Sequence, residues 1–325
     1  MFAAAVVPYL VPMARKIILD TDPGIDDAVA ITMALFDPRV EVVAITATAG
    51  TVDAPTATHN AAAILAALDP PKYPRLGTAA PPKHAPVFDD GDLHGSDGLA
   101  ETRLPASPRQ HPTPSTKVIS DLAVQYPGQI TLVCLGPLTN LAELCKFDPA
   151  AIEAIDRVVI SGGSITAPGN ATAVAERNMY FDPPAADLVF DTPLTKSVVP
   201  LDVTDEATFG VDLIESLPDK YTRAGSLLHK ILPYAFRKTR QKLGRETLPM
   251  CDPVTLVAAV QPELFTWQPA SARVETRGDL TAGMTVFDRR LRSDWQENCE
   301  VATSADVEAI HTQITRCLKY AGQMT

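Results

Sequence analysis

Short apolar runs rich in β-branched residues alternate along the chain with longer stretches in which apolar side chains return every third or fourth position. The first pattern suits strands buried on both faces; the second suits helices that lay one apolar stripe on a sheet. Ile17–Leu19 is expected to be the first strand, and Gly24–Phe36 a helix with Ile25, Val29, Met33 and Phe36 on its inner face. Val40–Thr46 reads as the next strand, followed by an Ala-rich helix near Thr56–Leu68. Ile130–Leu135, Val158–Ile160 and Ser197–Pro200 are further candidate strands, and Pro137–Phe147, Pro183–Phe190 and Ala224–Leu243 candidate helices. This alternation predicts βαβ units and therefore an α/β domain with a mainly parallel sheet. Ala272–Glu275 and Met284–Asp288, around the Gly278-Asp279 and Ala282-Gly283 turns, predict a small antiparallel addition, and Ser304 is expected to cap a C-terminal helix.

Two proline-rich stretches, Pro70–Pro86 and Pro105–Pro114, break the rhythm and flank Asp89–Leu99, and long proline-rich loops of this kind are expected to be functional or mobile. No internal repeat and no long linker divides the rest, so residues 14–325 are expected to form a single domain. Residues 1–13 are read as a disordered extension: apolar, too short to span a bilayer, and without the basic start of a signal peptide. With 46% apolar and 21% charged residues the 325-residue chain can bury a full core. A formal charge of −11 excludes a nucleic-acid binder, which needs a basic face, and no membrane segment is present. The five cysteines are widely spaced with no CxxC, which predicts free thiols in a reducing, cytoplasmic setting.

Chemistry concentrates in Asp20-Thr21-Asp22-Pro23-Gly24-Ile25-Asp26-Asp27-Ala28, at the carboxyl end of the first strand, the edge where open α/β sheets bind ligands. Part of it has a purely structural reading: Asp22 as a helix N-cap, Pro23 in the first turn, Asp26 and Asp27 favouring the helix dipole. Four carboxylates in one converging turn would repel one another, however, and a hard divalent cation is the simplest compensation.

The block Lys16–Ala28 resembles the N-terminal signature of the inosine–uridine-preferring nucleoside hydrolases. Leu135-Gly136-Pro137-Leu138-Thr139-Asn140 resembles that family's second landmark. Gly162-Gly163, Gly169-Asn170 and Ala175-Glu176-Arg177-Asn178 resemble its ribose-binding stretch, and Cys251-Asp252-Pro253 its last metal carboxylate. The resemblance implies a Rossmann-like fold, a homodimer or homotetramer, and hydrolysis of ribonucleosides to ribose and free base. It implies Ca²⁺ held by Asp22, Asp27, Asp252 and the Leu135 carbonyl, with a Ca-bound water activated by Asp22; Asp26, the runner-up base, would bond a ribose hydroxyl. Glu176, Asn178 and Asn170 would hold the sugar, and His94 would stand at the pocket. The chain holds six Asp-Pro pairs, most of which read as N-caps, so spacing alone does not single out Asp252.

Two positions depart from the family pattern. Thr51 follows Gly50 where an Asn is usual, and Cys251 stands where many members carry a His that protonates the leaving base. The second departure resembles a cysteine-bearing subgroup, with Cys251 in the leaving-group role. Two other readings stay open: a calcium- and ribose-binding sensor descended from hydrolases, and, more remotely, a haloacid-dehalogenase-like phosphatase, whose first strand also ends in Asp-x-Asp. Base preference is not legible in the sequence, because base contacts are expected from variable loops and the Tyr221–Leu248 region.

Overall fold

The structure is a computed structural model and describes residues 14–82, 91–106 and 112–325. The extension 1–13 and parts of the proline-rich stretches, 83–90 and 107–111, lie outside the described residues. The described residues form ten strands: β1 (Arg15–Thr21), β2 (Val40–Ala47), β3 (Arg75–Gly77), β4 (Ile130–Cys134), β5 (Ile155–Ser161), β6 (Lys196–Val199), β7 (Phe265–Ala270), β8 (Ala272–Val274), β9 (Thr285–Phe287) and β10 (Cys299–Ala305). Eight of them form one sheet in the order β3-β2-β1-β4-β5-β6-β10-β7. All neighbours pair in parallel except β10 and β7, which run antiparallel at one edge. The predicted antiparallel addition is the separate β8–β9 pair.

The central strands are buried on both faces, which is why they read as unbroken apolar runs: Ile17, Ile18 and Leu19 are all 0% exposed. Helices cover both faces and divide the apolar side chains into two cores, one around Ile17 and Leu19 and one around Ile18 and Leu132. The helix Ile25–Phe36 is apolar nearly all round because it lies under the helices Cys251–Val260 and Val307–Met324. Chain order reverses between β1 and β4, and in open α/β sheets such a switch point opens a crevice beyond the carboxyl ends of the strands. Asp20–Asp22 leave β1 there, and Leu135-Gly136 leave β4. Among the described residues no helix is long and apolar enough to cross a membrane.

Several expectations need correction. Ser304 lies inside β10, paired with Thr266, and Asp306 caps the last helix by accepting from Ala309 N at 3.0 Å. Pairing with β7 carries the strand through Ala305, so the first side chain free to cap is two residues later. Of the six Asp-Pro aspartates only Asp148 and Asp182 are N-caps, whereas Asp37 and Asp69 end helices. Asp22 caps nothing: the helix starts from Gly24, whose amide donates to Asp27 Oδ2 at 2.9 Å.

Candidate active site

The turn after β1 is held from behind by Asp20, which is fully buried. Its Oδ1 accepts from Thr46 Oγ1 at 2.7 Å and from Asn140 Nδ2 at 2.8 Å, and its backbone carbonyl accepts from Leu135 N at 2.8 Å. Asn140, the last residue of the second landmark, therefore ties the loop after β4 to the acidic turn. Burial pushes the Asp20 carboxyl up to about 7.

In front of it, carboxylate oxygens of Asp26, Asp27 and Asp252 lie within 4.8 Å of one another. Asp27 and Asp252 are buried, and burial followed by the neighbouring carboxylates raises both well above the usual range. Asp26 Oδ1 and Asp27 Oδ1 are buried with no hydrogen-bond partner among the described residues. Buried oxygens of this kind, close together and unsatisfied, are a donor set for a hard cation. The expected metal set had Asp22 in place of Asp26. Asp22 lies beside this cluster, its Oδ2 accepting from Thr51 N at 2.6 Å, so Thr51 contributes its amide whatever its side chain. Backbone closes on that carboxylate from both sides: a Cβ on Gly136 would stand 2.5 Å from Asp22 Oδ1, and one on Gly50 would collide with Oδ2. Burial raises the Asp22 pKa, opposed by the Arg177 charge and the Thr51 amide.

Asn178 Nδ2 donates to the Leu135 carbonyl at 2.7 Å and to the Ser161 carbonyl at 3.0 Å, and Ser161 Oγ reaches Asp252 Oδ1 at 3.3 Å. The Leu135 carbonyl keeps a second lone pair. Glu176 caps the short helix Arg177–Phe181, accepting from Asn178 N, Met179 N and Gly163 N at 2.9–3.1 Å. Burial pushes its carboxyl up to about 7. Asn170 Oδ1 accepts from Arg177 N at 2.8 Å, closing the loop that carries Glu176 and Asn178.

His94 reaches the same turn from across the crevice. Ile25 N donates to His94 Nδ1 at 3.0 Å, so the neutral ring carries its proton on Nε2. Asn60 fastens this loop by donating to both the Pro23 carbonyl at 3.0 Å and the Asp97 carbonyl at 2.8 Å.

Asp26, His94, Asn170, Arg177 and Cys251 line one cavity of about 430 Å³, which continues along the helix Arg223–Leu243 past Leu232, Ala235 and Thr239. A roomier cavity of about 790 Å³ beside β6 and β10 contains none of these residues. Cys251 Sγ donates to Thr204 Oγ1 at 3.5 Å, and burial pushes the thiol up to about 12. Sequence reasoning assigned no role to Arg177, although it stands within the quoted motif, and missed Thr204 and Asp205; Thr239 and Arg245 fall within the Tyr221–Leu248 region from which base contacts were expected.

The fold and this acidic crevice define a metal-dependent class of ribonucleoside-cleaving hydrolases. The chain belongs to the inosine-uridine preferring nucleoside hydrolase family, whose sequence model matches residues 17–312. It is 38% identical over 306 residues to the non-specific ribonucleoside hydrolase RihC of Salmonella enteritidis PT4, covering 94% of this chain and 98% of that protein. Among solved structures it resembles a plant nucleoside hydrolase, with TM-score 0.86 and 31% identity over 94% of this chain and 99% of that one. It likewise resembles a purine-preferring ribonucleoside hydrolase from Gardnerella vaginalis, with TM-score 0.88 and 28% identity over 96% and 100%.

Proposed function

We propose that the protein hydrolyses the N-glycosidic bond of ribonucleosides to ribose and free nucleobase, with Ca²⁺ as its cofactor. The observation that carries this reading is the convergence of Asp26, Asp27 and Asp252 within 4.8 Å, with Asp26 lining the cavity, in a chain of this family. Asp22, Asp27 and Asp252 with the Leu135 carbonyl are the oxygens that would hold Ca²⁺, an ion that prefers such ligands. When bound, the ion supplies a Lewis acid that makes water a stronger acid and aligns the sugar hydroxyls.

Asp22 accepts the proton of the attacking water. Its Oδ2 is fixed by the Thr51 amide at 2.6 Å, which aims the carboxylate without a flexible partner. Asp26, whose buried Oδ1 has no partner among the described residues, bonds a ribose hydroxyl. Because Asp26 also lines the cavity, it is the second candidate for the base. Glu176, Asn178 and Asn170 orient the sugar, and the surrounding carboxylates offset positive charge that develops at the anomeric carbon. Cys251, which lines the same cavity and is kept protonated by burial that pushes the thiol up to about 12, is the proposed donor to the departing base.

The deciding experiment is a panel of ribonucleosides assayed for free ribose, with and without a calcium chelator. Release that stops on chelation and returns with Ca²⁺ is expected; no release from any ribonucleoside would overturn the reading. A homodimer or homotetramer is the proposed assembly, supported by exposed apolar side chains such as Phe147 and Leu280, and checked by light scattering. The five cysteines are unpaired, in keeping with a cytoplasmic location.

A further inference from the structure

Residues 162–176 form neither strand nor helix, yet they carry Asn170 and Glu176 to the crevice. Pro168, Gly169 and Asn170 line the cavity, while Thr166, Pro168 and Asn170 are open to solvent. A thin wall of this kind buries little apolar surface, and such segments are among the first to open unless polar contacts fix them.

One carboxylate supplies those contacts. Asp202 Oδ2 accepts from Ile165 N at 2.6 Å, and its Oδ1 accepts from Thr166 N at 2.8 Å, Ala167 N at 3.0 Å and Thr166 Oγ1 at 2.6 Å. Three successive amides thus converge on one anion, and hydrogen bonds to an ionised acceptor are about twice as strong as neutral ones. Burial acts to raise the Asp202 carboxyl, but these bonds outweigh it and hold the group below the usual carboxylate range. The anchor is itself firmly based. Asp202 belongs to the one-turn helix Leu201–Thr204, which follows β6 after Pro200, and Leu201 N donates to the Gly163 carbonyl at 3.0 Å. The same turn presents Leu201 to the cavity and holds Cys251 through Thr204 at 3.5 Å.

We infer that Asp202 is a positioning residue for the hydrolase reaction, fixing the loop 164–170 as a preformed wall of the cavity. The inference rests on the hydrolase reading above. Asp202 does not line the cavity, so it acts on substrate only through that loop. With the wall in place beforehand, binding need not order it. Without the anchor, only the fraction of molecules whose loop is in place binds, and apparent affinity falls by that fraction.

The test compares Asp202→Ala, Asp202→Asn and Thr166→Ala with wild type. In Asp202→Ala the amides of Ile165, Thr166 and Ala167 should exchange their hydrogens at least about tenfold faster, measured on the metal-free protein. KM for inosine and uridine should rise about tenfold to hundredfold, with kcat changed by less than about threefold. Asp202→Asn keeps an oxygen for Thr166 and Ala167, so it should recover most of the wild-type KM. Thr166 is exposed, so Thr166→Ala keeps the fold and should raise KM about twofold to fivefold through loss of one bond. A general weakening of the fold would instead lower the fraction of active molecules, and with it kcat, at unchanged KM. That pattern in Asp202→Ala, or in Thr166→Ala if the larger change prevents folding, would overturn the inference, as would unchanged exchange at the three amides. Failure of the wild-type protein to cleave any ribonucleoside would instead remove the hydrolase reading on which it rests.

Discussion

The side-chain amide of Asn178 donates to the main-chain carbonyl of Leu135 at 2.7 Å, across 43 residues of sequence. A ribose-stretch residue thus fixes the carbonyl that belongs to the proposed cation site. Removing the amide leaves the Leu135 and Ser161 carbonyls without their donor, and second-sphere partners of metal ligands typically govern about 10–100-fold in affinity. Asn178→Ala is expected to weaken Ca²⁺ binding in that range by calorimetry, in addition to any loss of turnover. Unchanged calcium affinity would confine Asn178 to the sugar.

Asp22→Asn keeps the shape of the side chain and abolishes proton acceptance. A loss in kcat of about 10²–10⁴-fold at saturating Ca²⁺ is expected, as for removal of a general base. Asp26→Asn measured beside it should act mainly through KM. If the two patterns are exchanged, Asp26 is the base.

Gly136→Ala should be disproportionately damaging for so small a change. Its Cβ would stand 2.5 Å from Asp22 Oδ1, so the carboxylate must turn away from its place against the Thr51 amide. Activity should fall by more than about tenfold, because small misplacements of reacting groups are costly, while the circular-dichroism spectrum stays that of wild type. Full activity would show that the position of this carboxylate is not critical.

Cys251 can be separated into a chemical and a packing role. If the thiol assists departure of the base, Cys251→Ala should slow natural nucleosides much more than nitrophenyl riboside, whose leaving group needs no protonation. A small and equal effect on both, in the Ala and Ser variants alike, would leave Cys251 as a packing residue bonded to Thr204.

Glu176 carries a pH dependence of known sign. Burial moves its carboxyl from about 4.5 to about 7 on folding, so the neutral form is the one the folded state favours. Such a group contributes stability that is whole below its unfolded value and lost as pH rises through its folded value. The metal-free protein should therefore melt at a lower temperature at about pH 8 than at about pH 6, and Glu176→Gln should shrink that difference. An undiminished difference in the variant would place the effect on other groups.

The central strands and the acidic turn were legible because both depend on local pattern: apolar runs for strands buried on both faces, and a crowd of carboxylates at a strand end. The antiparallel edge was not. Phe265–Ala270 contains Pro269 and alternates irregularly between buried and exposed positions, and Cys299–Ala305 is rich in small polar residues, so neither carries a clear strand period. Pairing between them decides their conformation, and it also moves the last cap from Ser304 to Asp306. At the site, the order of Asp22, Asp26 and Asp27 around one another was beyond sequence reading, because it is set by contacts with Thr51, Gly136 and Asp252, distant in the chain.

The imidazole of His94 accepts the first amide of the helix Ile25–Phe36, one of the amides at a helix start that have no partner within the helix, and Gly24 before it has no side chain to offer. The helix that carries Asp26 and Asp27 is thus finished by a loop 69 residues away, and Asn60 bolts that loop to the same turn. Loop and turn form one mechanical unit. Any event that lifts His94 away strips the helix of its terminal partner and loosens two of the carboxylates at the same stroke, so access to the crevice and readiness of its acids are not separately adjustable.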